Sequence, residues 1–436
     1  MKYGQNVCRS FLAALALAAA AAWGSPQSDS AEEIIEAVRE EQAVDPRTVI
    51  FEVKAEEGPR ESVILTGTTS EPDLFSMLMT RLLKQGIRAE PRIEIVPNRE
   101  ALKQQIWATV KVPRAELLEF MDDDSPVAAE AVMGTPMQVL QEGSTGKLRV
   151  RLPDGRIAWA KPDDVHRQSD TTLLVWNRRE KLVIKAPAGR LWASEEATKQ
   201  AQSSGASQTE DGSVLLPAGS RLIIESSSPE GFSILTPDAK RGWVSAKDAE
   251  KLYDFQAREE NARRADPVRF LKSVSASAAM LAGTPARAHG ATSLGVDGAG
   301  LAATAFFLHD LIIPVEADRQ AYTGAPLSGG KGWRELKAGD LLFFGTPGQG
   351  KVKAHVKAEA LSLGRKSFLW SDVEGAEGKK EVKKGTLAAG ALPGLGHFLW
   401  AVRLHPEELT NPCMLSTRSH PFFQTPPASM RPCRLR

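Results

Sequence analysis

The chain has 436 residues, 42% hydrophobic and 25% charged, with a formal net charge of +1. That length calls for two to four folding units of a soluble globular protein. The balanced charge argues against a nucleic-acid partner and against strong steering of an acidic ligand.

Residues 1–24 read as a signal peptide. Lys2 and Arg9 give a positive start, "FLAALALAAAAAW" an apolar core, and Ala22 and Gly24 small residues suited to cleavage. The apolar run is too short for a stable membrane span. The expectation is an exported protein, periplasmic or extracellular, with no stable anchor after cleavage; the competing reading is an N-terminal anchor. Cys8 precedes the apolar core, so Cys413 and Cys433 remain after cleavage. An oxidising compartment would let a disulfide join them, and they make no zinc motif. No metal or cofactor is expected.

Residues 25–47 read as a polar linker with a short helix at "AEEIIEAVREEQA", and residues 48–109 as a small α+β module. Val49–Val53, Val63–Leu65 and Ile93–Val96 are β-branched strands. Pro72 suits a first helical position, Leu74, Leu78 and Leu82 repeat at helical spacing, and Gly86 ends the helix.

An internal repeat follows. Pro153, Asp154 and Trp159 match Pro237, Asp238 and Trp243 at one constant offset, and "MGTPMQVLQ" answers "AGSRLIIES" upstream. Each copy reads as short strands joined by a Pro-Asp turn, with a Trp supplying core area. Two small β-barrels are expected, over 110–168 and 169–252. The Ser-rich stretch 194–213 reads as a loop inserted in the second, and 253–266 as a helical linker.

Residues 267–406 form the last domain. "VRFLKSVSASAAMLAGTP" suits a helix, and Asp297 suits the N-cap of a second helix starting at residue 298. "WRELKAGDLLFFG", "KVKAHVKAEAL" with His355, and "RKSFLWSD" read as successive strands. Residues 407–436 hold five Pro, four Arg and no acid in their final stretch, and read as a disordered tail.

The order of two helices, "ELKAGDLLFFG", a His-bearing strand and a third strand resembles the NlpC family of cell-wall cysteine peptidases. The repeated units resemble bacterial SH3-like domains, and the arrangement is similar to γ-D-glutamyl-diamino-acid endopeptidases. The resemblance covers roughly residues 110–406. It implies a multidomain α+β chain: a small module, two SH3-like barrels and a papain-like C-terminal domain. In that family a Cys at a helix N-terminus is the nucleophile, and the helix dipole favours its thiolate. A His on the facing strand is the base, and a polar residue on the next strand orients it.

Carried over by residue, Asp297 and Gly300 match the family's loop. Gly298 stands at the nucleophile position, Ala299 at the neighbouring Ser, His355 at the base and Trp370 at or near the orienting position. Ala286 stands where the family carries a Tyr. No residue between Gly295 and Phe306 is a Cys or Ser. His309, at the end of the second helix, suits the helix dipole as a cation.

The leading expectation is therefore a catalytically inactive homologue. Its cleft, at Asp297, Ala299, His355 and Ala286, would bind peptidoglycan stem peptide, or its domains would dock a cell-wall protein. One alternative is an active hydrolase with a non-standard nucleophile such as Ser293 working with His355. Another is a purely structural interaction protein with a filled cleft.

Overall fold

The computed structural model describes residues 26–204, 212–327, 335–349, 354–375, 378–388, 390–409 and 413–425. The expected signal peptide, Cys8 and Cys433 lie outside them. The chain divides into two compact units, Met1–Asn98 and Arg99–Arg436.

In the first unit, α1 (Pro26–Glu41) and α2 (Pro72–Lys84) cover one sheet of β1 (Phe51–Glu57), β2 (Val63–Thr69) and β3 (Ala89–Ile95). β1 and β2 are antiparallel, and β2 and β3 parallel, as a helical crossover requires. Leu74, Leu78 and Leu82 line the buried stripe of α2 as their spacing predicts. The expected linker over 25–47 is mostly α1. Its Ala31, Ile35 and Val38 are fully buried in this unit's core, so an apolar stripe overrode the polar composition.

The second unit begins at Arg99, ahead of the expected boundary at 109, because the strand from Trp107 belongs to its first sheet. That sheet holds β4 (Trp107–Val110), β5 (Arg114–Leu118), β6 (Val127–Val132), β7 (Pro136–Glu142), β8 (Leu148–Arg151), β9 (Ile157–Ala160) and β10 (Val165–Gln168). Its order is β10-β4-β7-β8-β9-β5-β6. α3 (Asp170–Arg178) follows, with Ser169 and Thr172 forming a reciprocal capping box.

The second β-region holds β11 (Lys181–Ile184), β12 (Ala188–Leu191), α4 (Glu195–Ser204), β13 (Val214–Pro217), β14 (Arg221–Ser227), β15 (Gly231–Leu235), β16 (Arg241–Ser245) and β17 (Ala249–Lys251). Five strands form a sheet in the order β16-β15-β14-β11-β17. Read from the other end, this is the order of β10-β4-β7-β8-β9, so the sequence repeat is a repeat of topology. Both Pro-Asp pairs lie in the turn between equivalent strands, β8 and β9 or β15 and β16. Each sheet is an open path rather than a closed ring. The Ser-rich insertion contains a helix, α4.

The two repeat tryptophans differ. Trp243 is buried, whereas Trp159 is half-buried with Arg149 over its ring, and Trp107 fills the core of the first sheet instead.

The last region joins α5 (Leu252–Ala265), α6 (Pro267–Ala279), β18 (Ala291–Thr292), β19 (Gly295–Val296), α7 (Gly298–Phe307), β20 (Leu311–Ile312) and α8 (Ala317–Gln320) to a second seven-stranded sheet. That sheet contains β21 (Ala325–Leu327), β22 (Ala338–Thr346), β23 (His355–Gly364), β24 (Ser367–Ser371), β25 (Val382–Thr386) and β27 (Gly396–Arg403), with β26 (Ala391–Leu392) paired to β27. α6 and α7 pack on one face of β22 and β23 through Val274, Leu301, Phe306, Phe343 and Leu361. α5, expected as a linker, packs on α6 and on the second β-region, with Phe255 buried. The chain is thus a multidomain α+β protein.

Residues 413–425 correct the expected disordered tail. β28 (Leu415–Ser416) pairs with β20, Phe422 is fully buried and meets Trp107 edge-on at 4.9 Å, and His420 is fully buried. Its Nε2 lies 2.9 Å from the Pro153 carbonyl, and burial pushes its pKa down to about 4. Two adjacent phenylalanines outweigh the Pro/Arg composition that argued for disorder. Cys413 is disulfide-bonded. Among the described residues no helix is long and apolar enough to cross a membrane.

Candidate functional site

The site is built where β19 ends and α7 begins. Asp297 caps α7 as its sequence predicts: its Oδ1 accepts the Gly300 N–H at 2.6 Å. Gly300 has to be small, since a Cβ there would lie 1.8 Å from the Gly290 carbonyl oxygen. Gln320, buried on α8, donates to the carbonyls of Ala299 and Pro314 and fixes the first turn of α7.

Gly298 has even less freedom than its type requires. A Cβ at Gly298 would sit 2.5 Å from the Glu359 carbonyl oxygen and 3.2 Å from its nitrogen. Strand β23 therefore lies directly against the helix start, in the space a nucleophilic side chain would occupy. Backbone geometry, as well as residue type, thus keeps a side chain out of this position.

The residue that β23 brings to this point is Glu359, not His355. His355 opens the strand, is exposed, pairs with Thr346, and turns its Nδ1 to the Val356 carbonyl at 3.0 Å. Four residues along an extended strand separate the two, about 13 Å. The expectation that His355 lies at the site is corrected by this register. Glu359 is 1% exposed, and neither carboxyl oxygen has a hydrogen-bond partner among the described residues. Burial, and then the nearby Asp297 charge, push its pKa well above the carboxylate range. Asp297 rises to about 6, chiefly by burial, against the opposing pull of the Gly300 N–H and the charges of His289 and Arg156. The two carboxyls thus lie close enough to interact, and burial favours the protonated form of each.

These residues line a cleft of roughly 350 Å³, with Trp370, Lys357 and Glu316 among its walls. Trp370, the residue at or near the family's orienting position, lines the cleft. It is a buried wall residue, pairing with Ala360 and packed with Phe344 and Phe368. Ala299 also lines the cleft. Ala286 does not: it bridges to Val296, and its N–H donates to the Lys380 carbonyl. Ser371 donates to the Val296 carbonyl at 2.6 Å and ties β24 to the loop ahead of α7.

Both β-regions brace that loop. Glu130 on β6 is buried, accepts the Ala291 N–H at 3.0 Å and faces Arg287 at 3.4 Å. Arg156, beside the first Pro-Asp turn, donates to Asp154 at 2.6 Å and lies 3.7 Å from Glu316. Ser293 bonds to the second β-region, donating to the Pro187 carbonyl and accepting the Ala218 N–H at 2.8 Å. It is buried outside the cleft lining, so its hydroxyl is committed to structure.

His309 has partners that resemble a catalytic relay, with Ser277 Oγ 2.9 Å from Nε2 and Glu259 Oε2 2.7 Å from Nδ1. Ser277 sits within helix α6, however, where neighbouring backbone N–H groups are used by the helix and none is free to hold an oxyanion. The trio ties α5, α6 and α7 together. Among the described residues no cluster of three His, Cys, Asp or Glu could hold a metal ion.

The residue that the sequence did not single out is Glu359. Its signal is an acid within the apolar run "AEALSL", on the half of the strand that faces the helices.

No family model matches the sequence, and no curated protein matches it. Among solved structures, an NlpC/P60 family protein from Bacillus cereus ATCC 10987 aligns over 69% of this chain and 100% of its own. The TM-score is 0.52 at 17% identity. An NlpC/P60 endopeptidase from Photobacterium damselae subsp. piscicida aligns over 82% of this chain and 79% of its own, at TM-score 0.40 and 12% identity. The NlpC/p60 domain of the peptidoglycan hydrolase SagA aligns over 31% of this chain and 98% of its own, at TM-score 0.24 and 24% identity. The first comparison shows that this chain shares the fold of an NlpC/P60 protein over most of its length.

Proposed function

We propose that this chain is an exported, catalytically inactive homologue of the NlpC-type cell-wall peptidases, and that its cleft binds a peptidoglycan stem peptide. The observation that carries the inactive reading is at Gly298. The family's nucleophile position has no side chain, and the backbone of Glu359 fills the space one would need. The resemblance also calls for a base on the facing strand, and there stands a carboxyl whose pKa burial raises, which favours its protonated form.

Binding is favoured over a filled, purely structural cleft by the open volume between α7, α8 and β24. The two carboxyls at its floor suit an amino group of the ligand, which would supply the charge and donors that Glu359 lacks. A peptide containing γ-D-Glu and diaminopimelate carries such groups. The repeated β-regions are read as the SH3-like pair of such proteins, here bracing the cleft through Glu130, Arg156 and Ser293. Cys413 is read as pairing with Cys433 in an oxidising compartment.

The test is a calorimetric titration with a tripeptide containing γ-D-Glu and diaminopimelate. Saturable binding is expected, and Asp297→Asn should weaken it about tenfold or more, as for a lost charge-assisted hydrogen bond. An amine ligand prefers ionised Asp297, so binding should strengthen as pH rises through about 6. Absence of binding across that range would reject the cleft as a peptide site and favour the structural reading.

A further inference from the structure

A second cavity, remote from Asp297 in its lining, holds two buried cations, of which Lys181 makes no ion pair among the described residues. It measures roughly 290 Å³ and is lined by Trp176, Lys181, Arg221, Tyr253, Gln256 and Phe423, among others. Lys181 and Arg221 begin neighbouring antiparallel strands, β11 and β14. Val183 is opposite Arg221 and Lys181 opposite Ile223, so both cations lie on one face of the sheet. The other face carries the apolar core of Leu182, Ile184, Leu222 and Ile224. The cations therefore point away from that core, toward α3, α5 and the clasp of residues 413–425.

Both are buried: Arg221 is 3% exposed and Lys181 7%. Arg221 donates to Thr417 Oγ1 at 2.8 Å, has Phe423 over its guanidinium at 4.3 Å, and lies 4.0 Å from Asp310. Asp310 is already engaged by Ser416, Thr417 and Gln256. The Arg221 Nε–H has no acceptor among the described residues. Lys181 donates to the Asn177 and Arg179 carbonyls, each at 3.0 Å, and makes no ion pair among the described residues. Exposed Arg178 and Arg179 add positive charge at the rim, and the one acid there, Glu180, is paired with Lys251 at 2.8 Å. Burial lowers both cations: Lys181 to about 7, with repulsion from Arg221 and Arg179 added, and Arg221 to about 10 against the opposing pull of Asp310.

A buried charge without a partner is costly, Lys181 has no acid partner among the described residues, Arg221 shares Asp310 with three other donors, and both cations line the cavity. We propose that this cavity is an anion site for a small oxyanion, the carboxylate or phosphate group of a ligand. The Lys181 ammonium and the Arg221 guanidinium would supply it with charge. The aromatic walls, Trp176 and Tyr253, would flank whatever apolar body the anion carries.

The test titrates inorganic phosphate and, separately, acetate into the full chain at fixed ionic strength, with chloride as control, followed by calorimetry and thermal denaturation. A saturable rise in Tm above the chloride control is expected. Lys181→Met keeps the packing stem, removes a buried charge, and should weaken binding on the order of tenfold or more. Arg221→Lys keeps a charge but removes the guanidinium, and should weaken it as well. Phosphate binding without acetate binding assigns a phosphate group, and the reverse a carboxylate. No saturation by either probe, or a Lys181→Met protein that binds as tightly as wild type, overturns the site. Glu359→Gln should leave this binding unchanged, which separates it from the peptide cleft.

Discussion

At Gly298 one missing side chain and one close strand act together. Gly298→Cys should not create a peptidase, because its Cβ would meet the Glu359 carbonyl oxygen at 2.5 Å. The strain should cost about 1–3 kcal/mol, read as a lowered Tm, with no peptide cleavage. Glu359 has its own signature. Its folded pKa lies above its unfolded value of about 4.3, so its contribution is intact below that pH and is lost as pH rises toward the folded value. Glu359→Gln removes this loss. The stability gap in its favour should be near zero at low pH and grow by about 1.4 kcal/mol per pH unit until the folded pKa is reached. Denaturant unfolding across pH checks this, and a gap independent of pH would contradict it. Asp297 and Gly298 were legible in the sequence because capping is local: the Asp, the glycines and the helix lie within a few residues. Glu359 was not. Which residue of β23 faces α7 depends on register, and bulges shift the β22–β23 pairing between Ala338 and Leu341 and between Phe344 and Gly345. His355 drew attention by its chemistry, and a few residues of register moved it out of the site.

At the scale of elements, the clasp of residues 413–425 unites parts distant in sequence. Phe422 packs on Trp107, and Asn177 donates to the Phe422 and Gln424 carbonyls at 2.9 and 2.8 Å. Phe422→Ala should destabilise the chain by about 3–5 kcal/mol, measured by denaturant unfolding, and a cost near zero would show the clasp to be dispensable. This element was hidden from composition, because Pro and Arg content speaks against a core while two aromatic side chains suffice to anchor a short segment. The repeated β-regions were legible, since a Pro-Asp turn and a following strand make a local unit. Their sheet order follows from that unit. The edge hairpin β5–β6 and the pair β12–β13, where the copies differ, leave no common sequence mark.

Across the molecule, the Arg99–Arg436 unit joins both β-regions to the α7 cleft through buried polar contacts rather than through a flexible linker. Glu130 reaches from the first β-region to the Ala291 N–H ahead of α7, Ser293 of that loop bonds to the second β-region, and Arg156, beside the first Pro-Asp turn, reaches Glu316 at the start of α8. The β-regions therefore help shape the cleft, and the account of an inactive binding site rests on that joint construction. The most direct measurement incubates the full chain with a tripeptide containing γ-D-Glu and diaminopimelate and follows both bound peptide and products by mass spectrometry. The account predicts that the peptide binds and is recovered intact. Release of diaminopimelate that Glu359→Gln abolishes would contradict it.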